Sequence, residues 1–100
     1  MNNQLKWTIE KKNLYLTGAL VHKTLLPLWK QRHSVMKCIE NIDICALTQV
    51  DTGGLALLIH LQMKNIDHQK QLRISISGVT SKINSLITLY NLQKIINNKH

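Results

Sequence analysis

Residues Val50–Leu61 read VDTGGLALLIHL, and the segment after Asp51 decides the fold. A half-buried strand would alternate apolar and polar side chains. This run does not alternate and is apolar on nearly every side, so its spacing predicts a helix buried on most faces, opening near Thr52 or Gly53. Val50 then ends a strand, and Asp51 or Thr52 is the expected cap of the first amides of the helix.

Upstream, Ile42, Ile44 and Ala46 alternate with Asp43 and Cys45, which predicts a strand running into a loop "LTQVD". Earlier still, Leu5, Trp7 and Ile9 alternate with Lys6, Thr8 and Glu10. Lys11-Lys12-Asn13 breaks the pattern before Leu14 and Leu16 resume it, which predicts a hairpin of two short strands. From Thr24 the period changes. Leu25, Leu28, Trp29, Val35 and Met36 share one side of a helix, Thr24 is its expected N-cap, and Pro27 falls in the first turn, where it has no intrahelical bond to lose. Downstream, "QLRISISG" predicts a strand with Leu72, Ile74 and Ile76 inward. Val79, Ile83, Leu86, Ile87 and Tyr90 keep helical spacing behind the cap candidates Thr80 and Ser81, and "NLQKIINNKH" predicts one more short turn. Strands alternating with helices predict an α/β fold with a small mixed or parallel sheet, because a parallel neighbour needs a helical crossover.

The chain of 100 residues is sized for a single domain, 1–100, with one modest core. One proline and four glycines leave few special turns, which weighs against an all-β sandwich or barrel. The polar opening MNNQLKWTIEKKN and the lack of an apolar run near 18 residues predict a soluble protein that stays in the cytoplasm where it is made. Cys38 and Cys45 lack partners at metal spacing and are expected as reduced, half-buried thiols. The formal charge of +8 is the unusual bulk property. Its lysines and arginines are spread from Lys6 to Lys99 without interleaved aromatics, so a solvated basic surface is expected and nucleic acid is not an expected partner.

Asp51-Thr52-Gly53 also matches the triplet that carries the catalytic carboxylate of aspartic proteases, and the chain is about the size of one retroviral-type subunit. That chemistry needs an all-β frame in which two carboxylates share a proton. Here a second glycine and a helix-length apolar run follow, so catalysis is not expected from Asp51. No nucleotide-binding loop is present, since no Lys-Ser/Thr follows the glycines, and no two of the five histidines stand at zinc spacing with an acidic companion. No metal, cofactor or catalytic residue is therefore expected. His60 falls in the apolar helix and is expected as a core or interface histidine; Trp29 is expected as core.

If the helix opens at Thr52, unpaired N–H groups and the positive end of the helix dipole lie beside its hydroxyl. A plain cap and a phosphate-bearing switch need the same geometry. Gly53 and Gly54 are expected to keep the loop low, so that another protein can approach the backbone. "LTGAL" (16–20), "LLPLW" (25–29), "VDTGGLALLIHL" (50–61) and "LYNL" (89–92) together resemble the STAS domains, the fold of anti-sigma factor antagonists, in which Asp-Ser/Thr-x-Gly-Leu precedes a helix. Within that family the chain looks like the small cytoplasmic STAS subunits of Gram-negative phospholipid ABC transporters. The resemblance implies a small mixed sheet with helices mainly on one face, and a non-catalytic subunit bound to the transporter's ATPase. That complex also contains a permease and periplasmic lipid-binding subunits, and membrane association comes only through it. Its role is in maintaining outer-membrane lipid asymmetry. Thr52 stands at the phospho-acceptor position, Asp51, Gly53 and Gly54 form the expected docking loop, and Leu55 and Tyr90 extend the expected interface. The alternative implied by the same family is a phospho-switched antagonist acting on a partner kinase. Ala19 departs from the acidic residue that many STAS domains carry there.

Overall fold

The computed structural model describes residues 4–64 and 74–90. The order is β1 (Leu5–Glu10), β2 (Asn13–Leu20), α1 (Leu26–Lys30), α2 (Arg32–Val35), β3 (Asn41–Val50), α3 (Thr52–Lys64), β4 (Ser75–Ser77) and α4 (Ser81–Leu89). The four strands form one sheet in the order β1-β2-β3-β4. β1 and β2 form the expected hairpin, antiparallel around Lys11-Lys12 with Lys11 at φ 58. The β2–β3 and β3–β4 pairs are parallel, so α1–α2 and α3 lie on the crossovers that parallel neighbours require.

Side chains on one face of the sheet make the core. Leu14, Leu16, Ile42, Ile44 and Ile76 meet Leu28, Met36, Leu55, Leu58, Leu61, Ile83 and Ile87 in a single buried cluster. Lys6, Thr8 and Thr17 are exposed, so the other face meets water. The mixed sheet with helices gathered over its apolar face is the architecture expected. Leu72 and the turn expected in "NLQKIINNKH" lie outside the described residues.

Three expectations about elements are corrected. The "LTQVD" segment is not a loop, because β3 continues to Val50. The pairing runs Tyr15↔Asp43 then Thr17↔Ala46, and Gly18↔Leu47 then Ala19↔Gln49, so β3 carries an extra residue twice. Each bulge moves the inward position on by one, which buries Ile42, Ile44, Leu47 and Val50 and turns Ala46 outward. The helix expected from Thr24 is broken at Gln31 into α1 and α2. Arg32 Nη1 donates to the Trp29 carbonyl oxygen at 2.7 Å, and its guanidinium stacks 3.7 Å from the Trp29 ring centroid, which fixes the break. Pro27 does sit in the first turn, but Thr24 is no cap. Its hydroxyl lies 2.7 Å from the Ala19 carbonyl and accepts the Val21 amide at 3.1 Å, folding the β2–α1 loop on itself.

Two side-chain expectations also change. Cys38 and Cys45 are both exposed. A hydrogen bond to Asp43, then the charge of that carboxylate, hold the Cys45 thiol above its usual range, so it stays protonated at neutral pH. His60 is exposed, which removes the core alternative of its expected core or interface place; its ring is tilted against Trp29 at 4.7 Å between centroids.

Candidate docking loop

Parallel pairing of Leu20 with Val50 ends β2 and β3 side by side, so the loops that leave them are neighbours. The Asp51 amide donates to the Leu20 carbonyl oxygen at 3.4 Å, and α3 opens at the next residue. A Cβ on Gly54 would collide with that same carbonyl. Gly54 is therefore the residue that lets α3 sit directly on the end of β2, and its bareness serves the chain's own packing. Gly54 itself is buried beneath the loop.

Asp51 is the cap. Its Oδ1 accepts the Gly54 amide at 2.8 Å, and the Leu55 amide makes the first helical bond to the Asp51 carbonyl at 2.9 Å. Its Oδ2 accepts the His22 amide at 3.0 Å and lies 3.1 Å from His22 Nδ1, a hydrogen bond when that nitrogen carries the proton. Burial pushes the Asp51 carboxyl up, but the His22 and Gly54 amides, and then the His22 ring, outweigh it and hold the carboxyl below its usual range. A carboxylate held ionised by its own loop is the opposite of the raised acid that a shared-proton protease site needs.

Thr52 is exposed at the first position of α3, and its hydroxyl makes no hydrogen bond among the described residues. Gly53 is half-buried; a Cβ there would lie 3.1 Å from His22 Cβ. Leu55 is 2% exposed and belongs to the core, so it supports the loop from beneath and offers no side chain to a surface. Tyr90 follows α4 and is 47% exposed, beside Leu89 at 72%. Thr80 is the α4 cap, accepting the Ile83 amide at 3.3 Å, as one of the two cap candidates predicted. The loop thus gathers Asp51, Thr52, Gly53 and Gly54, while Tyr90 belongs to a separate element. His22 is the member that sequence reasoning missed. It lies 29 positions from its partner, and only the parallel register brings the two together.

Among the described residues, no group of three or more His, Cys, Asp or Glu side chains is arranged to hold a metal ion, and no helix is long and apolar enough to cross a membrane.

Comparison with known proteins gives a consistent set of relatives. A family model described as "Mlab, STAS domain" matches residues 3–97. The intermembrane phospholipid transport system binding protein MlaB of Escherichia coli (strain K12) is 42% identical over 94 residues, spanning 92% of this chain and 93% of that protein. The protein of the same name from Haemophilus influenzae is 34% identical over 64 residues, 54% of this chain and 61% of that one. Among solved structures, the anti-sigma factor antagonist SpoIIAA in its unphosphorylated form superposes with a TM-score of 0.60 at 11% identity, over 96% of this chain and 88% of that one. Its phosphorylated form gives the same score and identity, over 96% and 91%. At that identity the likeness is one of fold.

Proposed function

We propose, from the premise that this chain belongs to the STAS domain family in its MlaB branch, that it is the non-catalytic STAS subunit of an intermembrane phospholipid transporter and docks on the transporter's ATPase. The single observation that carries this reading is the 42% identity to a phospholipid transport system binding protein over nearly the full length of both chains. In this role the subunit sits on the cytoplasmic side and reaches the inner membrane only through a complex of ATPase, permease and periplasmic lipid-binding subunits. Its contribution is to support the assembly or activity of the ATPase.

The docking surface of this proposal centres on Thr52. Three features support that choice: the side chain is exposed, it is uncommitted within the described chain, and it stands on a loop fixed from both sides by Asp51. A pre-organised loop loses little conformational entropy on binding, so contact energy there is retained as affinity. Asp51, Gly53 and Gly54 then act by setting the position of Thr52, and Tyr90 supplies a further exposed aromatic group at the end of α4. Replacing Thr52 with Arg is expected to abolish co-purification with the ATPase while leaving the isolated chain folded by circular dichroism. Undiminished co-purification would place the interface elsewhere. The fold shared with a phospho-switched antagonist motivates one further measurement: intact mass of the chain from growing cells, expected to show no phosphate on Thr52.

A further inference from the structure

The two edges of the sheet are built differently. β4 is the short one, Ser75–Ser77. β1 runs from Leu5 to Glu10, holds no proline and pairs with β2 residue for residue without a bulge. The Gln4 carbonyl oxygen accepts the Ala19 amide, so Gln4 turns its peptide groups toward β2. By the alternation of an antiparallel ladder Lys6, Thr8 and Glu10 do the same, and the N–H and C=O groups of Leu5, Trp7 and Ile9 point away from the sheet. Among the described residues no strand pairs with that outer row. Shortness, proline, a bulge or an inward-pointing charge protects most edge strands, and β1 has none of these. On its core side Leu5 and Trp7 pack against the buried cluster, while Ile9 is left 50% exposed.

The charges on β1 are Lys6 and Glu10, both exposed on the face that meets water, with Thr8 midway between them. A lone lysine on an edge repels an incoming strand, but this arrangement complements itself. We infer that β1 is a self-association edge, at which two copies of this chain join their sheets by antiparallel β1–β1 pairing centred on Thr8. In that register Lys6 of each copy faces Glu10 of the other, and Trp7 faces Ile9, so an aromatic ring covers the exposed isoleucine. Trp7 and Ile9 turn their peptide groups outward and exchange the hydrogen bonds of the new ladder, which leaves Lys6 and Glu10 at the positions where opposed side chains come closest. Neighbouring registers lose this match: centring on Trp7 sets Lys6 against Thr8, and centring on Ile9 sets Lys6 against Lys12. Both surfaces of the contact are known, because they are the same strand. The contact uses neither Asp51 nor Thr52, so it stands or falls apart from the docking reading.

The formal charge of +8 on each copy opposes association at long range. The test is therefore made at about 0.15 M salt, where screening beyond roughly 8 Å removes most of that repulsion and spares charges in cross-strand contact. Sedimentation equilibrium over a concentration series is expected to show the wild type in reversible exchange between monomer and dimer. K6E and E10K each set like charges opposite one another, and each is expected to dimerise at least about tenfold more weakly while keeping the wild-type circular dichroism spectrum. An equimolar mixture of the two variants is expected to dimerise again, because the acidic positions of one then face the basic positions of the other. The K6E/E10K double variant, which exchanges the two charges, is expected to dimerise like the wild type. A wild type that stays monomeric throughout the series overturns the pairing. So does dimerisation unchanged in both single variants, or a mixture that remains as monomeric as its components.

Discussion

Both oxygens of Asp51 are engaged within the chain, one on the first turn of α3 and one on His22, and this decides what the Asp-Thr-Gly triplet does. The carboxylate fixes the loop and Thr52 faces outward from it. Because hydrogen bonds hold its pKa below that of the unfolded chain, ionised Asp51 contributes stability above the ordinary carboxylate range, and that contribution is lost as pH falls through the lower folded value. Asp51→Asn keeps a capping oxygen but removes the charge. Urea denaturation should therefore show the variant less stable than the wild type at neutral pH, by up to about 1 kcal/mol, the scale of a charge at a helix N-terminus. The gap should begin to narrow below about pH 4, where the carboxylate of the unfolded chain takes up its proton, and close at lower pH once the folded group does so too. A gap that stays constant down to pH 3 or so would mean that the charge of Asp51 contributes nothing to the loop.

At the scale of elements, the parts legible in the sequence are those in which one period runs unbroken. The β1–β2 hairpin, the opening of α3 and the start of α4 follow from alternation or helical spacing with an identifiable cap. The second half of β3 was not legible, because two bulges change the inward set from Ile42 and Ile44 to Leu47 and Val50, and local alternation then reads as a loop. Nor was the break between α1 and α2, which rests on Arg32 folding back onto Trp29. The turn from β3 into α3 was legible from its motif, but the reason for its second glycine was not. Gly54 answers to the carbonyl of Leu20, a neighbour made by the parallel pairing of β2 with β3. Gly54→Ala should accordingly lift α3 off the end of β2 and lower stability by about 1–3 kcal/mol, the usual cost of overpacking, even though alanine is the better helix former. Equal or greater stability of this variant in chemical denaturation would show that the close approach is not a constraint.

Over the whole molecule, the buried core and the exposed loop occupy separate places. One apolar face of a small sheet buries its helices, and the carboxyl ends of β2 and β3 hold a fixed loop at one edge of that core. The exposed Thr52 on that loop stands beside the start of the crossover, which Asp51 holds at His22. The proposed docking puts this loop against the ATPase of a phospholipid transporter in the cell. Ala56 is exposed one turn beyond Thr52 on α3, so a photo-crosslinking amino acid placed there samples the neighbour of the loop without replacing Thr52. Irradiation of growing cells is predicted to give a light-dependent adduct between this chain and the transporter's ATPase, identified by mass spectrometry and lost when Thr52→Arg is added. An adduct with a regulatory kinase in its place, or an ATPase adduct that survives Thr52→Arg, would contradict the account.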